Sequence, residues 1–138
     1  MCGGGIQQDR IVIAMHSRIA EIKNHMLMVE AMHMLPKEIR EKFIVLCSGE
    51  CVGEYYNEVK KRIESLGLEN TFRFLGWTKN RDILGMADVL ILPSKEEGFP
   101  LSVVEAFFMK VLVVRTRTGG FDDQKYCIPI SKKIPKIL

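Results

Sequence analysis

Five short apolar runs punctuate this sequence: IVIAM at 11–15, FIVLC at 43–47, TFRFL at 71–75, VLIL at 89–92 and VLVV at 111–114. Each is too short for a buried helix and rich in β-branched or aromatic residues, so each reads as a strand buried on both faces. The stretches between them carry helical spacing. Met28, Ala31, Met32 and Leu35 repeat on one face of residues 25–35, which Pro36 closes, and the methionines read as core filler. Tyr56, Val59, Ile63 and Leu66 mark a second helix stopped by Gly67, with Glu58 and Arg62 as a solvated i,i+4 pair on its other face. Asn80 reads as the cap of a short helix through Met86, Leu101, Val104 and Phe108 stripe another helix, and residues 126–130 suggest a sixth strand. Strands alternating with helices predict an α/β fold, a doubly wound parallel sheet of Rossmann-like type. In such sheets ligands bind outside the carboxyl ends of the strands, so the loops at 16–24, 48–53, 76–80, 93–100 and 115–120 are expected to share one rim.

The length of 138 residues suits one domain, placed at 10–130 with an N-terminal extension or linker over 1–9 and a basic tail over 131–138. With 47% hydrophobic and 27% charged residues, the chain is far from the composition of disordered proteins. Its formal charge of +3 is too mild to point to nucleic acid. The charge is unevenly spread: residues 110–138 hold seven basic residues (Lys110, Arg115, Arg117, Lys125, Lys132, Lys133, Lys136) against Asp122 and Asp123. A solvated end is the expected reading, with an anionic ligand or a membrane surface as the alternative.

Cys2, Cys47, Cys51 and Cys127 lack the spacing of a disulfide framework or a zinc knuckle and read as reduced thiols. His16, His25 and His33 lack the spacing of a helical zinc site, so surface or boundary positions are expected for them. The sequence opens without a charged leader and apolar stretch, and no run reaches the ~18 apolar residues of a membrane span. A cytoplasmic protein is expected.

The segment 92–106 concentrates the chemistry. Pro100 suits the first turn of a helix, which sets Glu97 in the loop at its positive end and Glu105 about one turn in. Two carboxylates are thus expected to face one pocket at different depths. Carboxylates accept hydrogen bonds only and suit the paired hydroxyls of a sugar or ribose, while N–H groups around Gly98, Phe99 and Leu101 would add donors. A cap role for Glu97 and a plain exposed position for Glu105 stay open on spacing alone. Arg18 and Lys23, in the loop after the first strand, would suit a diphosphate, or would be ordinary surface cations.

Together these residues resemble a family. His16-Ser17-Arg18-Ile19-Ala20-Glu21-Ile22-Lys23, Ser48-Gly49-Glu50, Phe74-Leu75-Gly76, Ala87-Asp88-Val89, Leu92-Pro93-Ser94, Glu97 with seven residues before Glu105-Ala106, and Gly119-Gly120 are similar to the C-terminal, donor-binding half of family 4 (group 1) glycosyltransferases of the GT-B fold. The resemblance covers residues 11–120. It implies a retaining enzyme that moves a hexose-type sugar from a nucleotide diphosphate sugar to a glycan or lipid acceptor, without a cofactor or obligatory metal. In that reading Glu97, Arg18 and Lys23 are the catalytic residues. Arg18 and Lys23 would hold the diphosphate, Glu97 with Gly98, Phe99, Pro100 and Leu101 the transferred sugar, Glu105 the ribose, and Gly76, Trp77 and Thr78 would lie near the base. A lipid-linked acceptor would place the protein at the inner face of the membrane, in polysaccharide biosynthesis.

Two departures stand out: Lys110 where the family has Gly, and Leu112 where it has Pro, so the turn before the fifth strand is expected to be strained or differently built. The acceptor-binding lobe of the family is absent from the sequence. The chain is therefore expected to be a fragment of a longer enzyme, with a split gene product as the alternative, that binds its donor without transferring it.

Other nucleotide chemistries fit less well. Gly3 to Gly5 precede the first strand instead of following it, which argues against a dinucleotide oxidoreductase, and neither a Walker element nor a Gly-x-Ser-x-Gly elbow occurs. A non-catalytic nucleotide-sugar-binding module or partner subunit remains the alternative, with a sugar-nucleotide epimerase a more distant third.

Overall fold

The computed structural model describes residues 9–124 and 126–130; the expected extension over 1–9, apart from Asp9, and the basic tail over 131–138 lie outside them. In chain order the elements are β1 (Ile11–His16), α1 (His25–Met34), α2 (Lys37–Arg40), β2 (Phe43–Ser48), α3 (Glu54–Ser65), β3 (Phe72–Gly76), α4 (Asn80–Met86), β4 (Val89–Leu92), α5 (Leu101–Phe108), β5 (Leu112–Thr116) and β6 (Ile128–Ile130). Short 3-10 turns at Glu21–Lys23 and Asp122–Gln124 interrupt two of the loops. The six strands form one sheet in the order β3-β2-β1-β4-β5-β6, parallel at each pairing. This is the Rossmann-like doubly wound arrangement that the alternation of elements predicts.

The period of two along each strand divides the core into two layers. Val12 and Ala14 of β1 and Ile44 and Leu46 of β2 pack under α4 and α5, whereas Ile13, Met15, Val45 and Cys47 pack under α1 and α3. Both faces are apolar because helices cover both, and each fully buried Val, Ile or Leu contributes about 1.5–3 kcal/mol. Burial pushes the Cys47 thiol up to about 12, so it serves as a small core residue.

Several local expectations are corrected. In α1 the inward face is His25, Met28, Val29 and Met32, with Ala31 exposed. At about 100° per residue these four share an arc from which Ala31 is turned away. The expectation that the histidines sit at the surface or a boundary fails for His25, which is 1% exposed. Arg62 does not pair with Glu58; its guanidinium grips Glu30 on α1 with two nitrogens, a fork that ties α3 to α1. Asn80 is the first residue of α4 and not its cap.

In α5 the apolar stripe points the wrong way. Val103 and Ala106 face the core, while Leu101 and Phe108 are 67% and 85% exposed. The small Ala106 lets the helix approach the sheet closely, and the larger residues are carried outward on the opposite side. Arg115, counted within the solvated basic end, is instead fully buried.

The turn after α5 explains what Lys110 costs. Both α3 and α5 end with the same pair of bonds, Leu68 N to Ile63 O and Gly67 N to Glu64 O in one, Val111 N to Ala106 O and Lys110 N to Phe107 O in the other. That motif needs a left-handed residue at its penultimate position. Gly67 supplies it at φ 66°, but in α5 the place is taken by Lys110 at φ 58°. A side chain there costs about 1–2 kcal/mol, partly offset because glycine gains more freedom on unfolding. Lys110→Gly is therefore expected to raise stability by about 1 kcal/mol in urea denaturation; an unchanged or lower midpoint would contradict the strain.

Candidate functional site

The carboxyl ends of β1 to β5 lie on one edge, as parallel pairing requires, and the chain reverses its direction of winding between β1 and β4. A cleft of about 280 Å³ opens at that switch point. His16, Ser17 and Arg18 line it from the end of β1, Lys23 from the turn that follows, Pro93, Ser94 and Glu97 from the loop after β4, and Pro100 and Ser102 from the start of α5.

Glu97 is its focus. The carboxylate Oε1 accepts from Lys23 Nζ at 2.8 Å and from Ser94 Oγ at 2.7 Å, and the Glu97 and Lys23 side chains are 11% and 25% exposed. Two loops far apart in sequence must be held together for this contact. The Asn24 amide donates to Pro93 O at 3.1 Å, and Lys95 N donates to Ile22 O at 2.8 Å. Asn24 itself is left-handed, at φ 60°, a conformation asparagine tolerates better than most residues.

Close backbone approach fixes the rim at two glycines. A Cβ on Gly49 would lie 2.0 Å from Ser17 O, and one on Gly119 would lie 2.2 Å from Glu97 O. No side chain fits either place. Beside Ser17, the His16 ring shares a 3.1 Å hydrogen bond between Nδ1 and the buried Ser48 Oγ. Burial lowers the pKa of His16, and the Glu105 carboxylate opposes that shift, so Glu105 lies within electrostatic reach of the ring.

The expected site residues separate into two groups. Glu97, Arg18, Lys23 and Pro100 meet in the cleft. Gly98, Phe99 and Leu101 form its exposed lip, with Phe99 51% exposed, and Gly76, Trp77 and Thr78 stand at the end of β3, the edge strand of the sheet. Glu105 does not line the cleft: it is exposed on the outward stripe of α5 and accepts from the Asn80 amide of α4. The two carboxylates thus occupy neighbouring sites, not one pocket, because Glu97 sits in a loop that folds inward and Glu105 shares the outward face of Leu101. Missed from the sequence were His16, Ser17, Ser94 and Ser102. His16, Ser17 and Ser94 lie in the motif strings that carry the resemblance but were given no role, and Ser102 had no such signal.

Among the described residues no cluster of His, Cys, Asp or Glu is placed to hold a metal ion, and no helix is long and apolar enough to cross a membrane.

A doubly wound parallel sheet with a polar, cation-bearing cleft at its switch point defines a Rossmann-like ligand-binding domain. Residues 3–124 match the family described as "Glycosyl transferases group 1", and the chain belongs to that family. It is 29% identical over 121 residues to the mannosylfructose-phosphate synthase of Agrobacterium fabrum (strain C58 / ATCC 33970), covering 82% of this chain and 26% of that protein. It spans about a quarter of the length of the curated relatives it matches. Among solved structures, Anabaena Alr3699/HepE in complex with UDP-glucose superposes with a TM-score of 0.74 at 26% identity, over 83% of this chain and 32% of that one. The C-terminal domain of a glycosyl transferase group 1 family protein (LpcC) from Francisella tularensis shares the fold, with a TM-score of 0.68 at 23% identity over 79% of this chain and 59% of that one. The fold is that of a GT-B glycosyltransferase domain.

Proposed function

We propose that this domain holds the nucleoside diphosphate sugar of a retaining glycosyltransferase, which moves a hexose-type sugar to a glycan or lipid acceptor presented by a second lobe. The observation that carries this reading is the Lys23–Glu97–Ser94 cluster set beside Arg18 at the switch point. A carboxylate anchored by a cation and a hydroxyl keeps lone pairs free for sugar hydroxyls. Lys23 Nζ has three protons and uses one on Glu97, leaving the others for diphosphate oxygens, while Arg18 offers a planar fork to the same group. The UDP-glucose bound to the Anabaena relative supports the same class of ligand.

In the transfer, the bond between the anomeric carbon and the diphosphate oxygen breaks, and a bond from an acceptor hydroxyl oxygen to that carbon forms. The negative charge left on the diphosphate is met by Arg18, Lys23 and the N-terminus of α5, and the hydroxyl proton passes to that departing oxygen. His16 lines the cleft and lies within electrostatic reach of Glu105, so a nucleotide lying over it would bring its ribose towards Glu105. The proposal needs no cofactor. Closure of an acceptor lobe over the rim would exclude water and position the attacking hydroxyl, so the isolated chain binds without transferring.

Ligand-observed NMR with UDP-, GDP-, ADP- and TDP-sugars tests the reading. Binding of at least one at millimolar concentration is expected, with no transfer of labelled sugar by the chain alone and transfer once it is joined to an acceptor lobe. Absence of binding across the panel would overturn it. Binding without transfer by the joined protein would leave a non-catalytic module.

A further inference from the structure

We propose that Arg115 is a positioning residue for the loop 97–100, a role that rests on the donor-binding reading. Arg115 is 0% exposed, and among the described residues no carboxylate forms an ion pair with it. A buried guanidinium with no carboxylate in direct contact, the Glu97 charge acting on it only at longer range, is expensive, and an apolar side chain of similar size would fill the same volume at lower cost. Its donors show what the arginine does instead. They reach Thr118 Oγ1 at 2.9 Å, Gly119 O at 2.7 Å and Gln124 Oε1, and the ring of Phe121 lies 5.7 Å away. All these partners belong to one segment after β5.

That segment in turn holds the site loop at both ends. Gly119 is pressed against the backbone of Glu97, and the Gln124 amide, whose oxygen is taken by Arg115, donates through Nε2 to Pro100 O at 3.2 Å. Pro100 is the residue from which α5 starts. Arg115 does not line the cleft and, among the described residues, its side chain makes no hydrogen bond to one that does, although the Glu97 carboxylate is within its electrostatic reach. It acts through Gly119 on Glu97 and through Gln124 on Pro100, setting the distance between the carboxylate and the helix N-terminus that would share the transferred sugar.

The test uses Arg115→Met, similar in volume but without donors, Arg115→Lys, which keeps the charge, and Gln124→Glu, which keeps the acceptor for Arg115 and removes the donor to Pro100. Hydrogen exchange of the ligand-free chain reads the positioning directly. In Arg115→Met, amides of residues 97–99 and 101 are expected to exchange at least tenfold faster while those of 18–24 do not change, with partial recovery in Arg115→Lys. Affinities for UDP-glucose and UDP supply the functional readout: the ratio is expected to shift about tenfold against UDP-glucose in Arg115→Met, and by less in Gln124→Glu. Unchanged exchange at 97–99 and 101, or an equal loss of both ligands accompanied by a lower melting temperature, would overturn the proposal in favour of a purely structural arginine. If Arg115→Met does not fold, Arg115→Lys and Gln124→Glu carry the same comparison. Failure of the unaltered chain to bind either probe would count against a uridine donor, and the exchange experiment would still decide the role of Arg115.

Discussion

Acidification from pH 6.5 to 4 is expected to remove about 3 kcal/mol of stability through one side chain, His25. Its ring is 1% exposed, and neither nitrogen has a hydrogen-bond partner among the described residues. Burial, with a smaller contribution from the Lys23 charge, lowers its pKa from 6.5 to about 4. As the first residue of α1 it also meets the positive end of that helix, where a cation is unfavourable. The ring is therefore neutral in the folded protein at a pH where the unfolded chain takes up a proton. Its contribution to stability is complete above pH 6.5, is lost between 6.5 and about 4 at ~1.4 kcal/mol per pH unit, and does not change below that. Half-buried His16 acts in the same direction. Glu30, held below its ordinary value chiefly by its hydrogen bonds from Arg62, loses its contribution as pH falls from about 4.5, mostly below the histidine window. Urea denaturation at pH 7, 5.5 and 4.5 measures the slope, and His25→Leu should flatten most of it. The same slope in the variant would mean that His25 is not the group responsible.

Separate roles are expected for the two glutamates in ligand binding. Glu97→Gln should weaken nucleoside diphosphate sugars by 10- to 100-fold, corresponding to about 1.5–3 kcal/mol for a lost charge-assisted hydrogen bond. It should not weaken the nucleoside diphosphate alone, because Lys23 is then released from the 2.8 Å contact that occupies it. Glu105→Gln should weaken both ligands about tenfold, since a contact to ribose does not depend on the sugar. Calorimetry with UDP and UDP-glucose, with circular dichroism to verify folding, measures the split. Loss of UDP binding in Glu97→Gln would refute the assignment of Glu97 to the sugar.

The strands were legible because short β-branched runs have few alternatives, and the rim followed from them, since parallel strands must present their carboxyl ends together. The helix faces were read less well. The α5 stripe of Leu101, Val104 and Phe108 is a sound helical repeat, yet the sheet selected Val103 and Ala106, because close approach favours the small side chain over the larger ones. Lys110 was visible as an anomaly, and the paired turns at Gly67 and Lys110 show its cause to be the same left-handed cap.

Residue order alone was sufficient for the α/β class, for the strand positions and for the rim on which Glu97, Arg18, Lys23 and Pro100 line one cleft. Each of these rests on local spacing or on a contiguous motif. Partners distant in the chain were decided only by the tertiary structure. Lys23 meets Glu97 across 74 positions, Arg62 chooses Glu30 over the nearer Glu58, Glu105 is drawn to Asn80 and away from the cleft, and Arg115 leaves the basic end for the interior. A charged side chain is placed by whichever hydrogen-bond partner the packed backbone brings within about 3 Å, and that distance is set by the stacking of helices on the sheet rather than by separation along the chain.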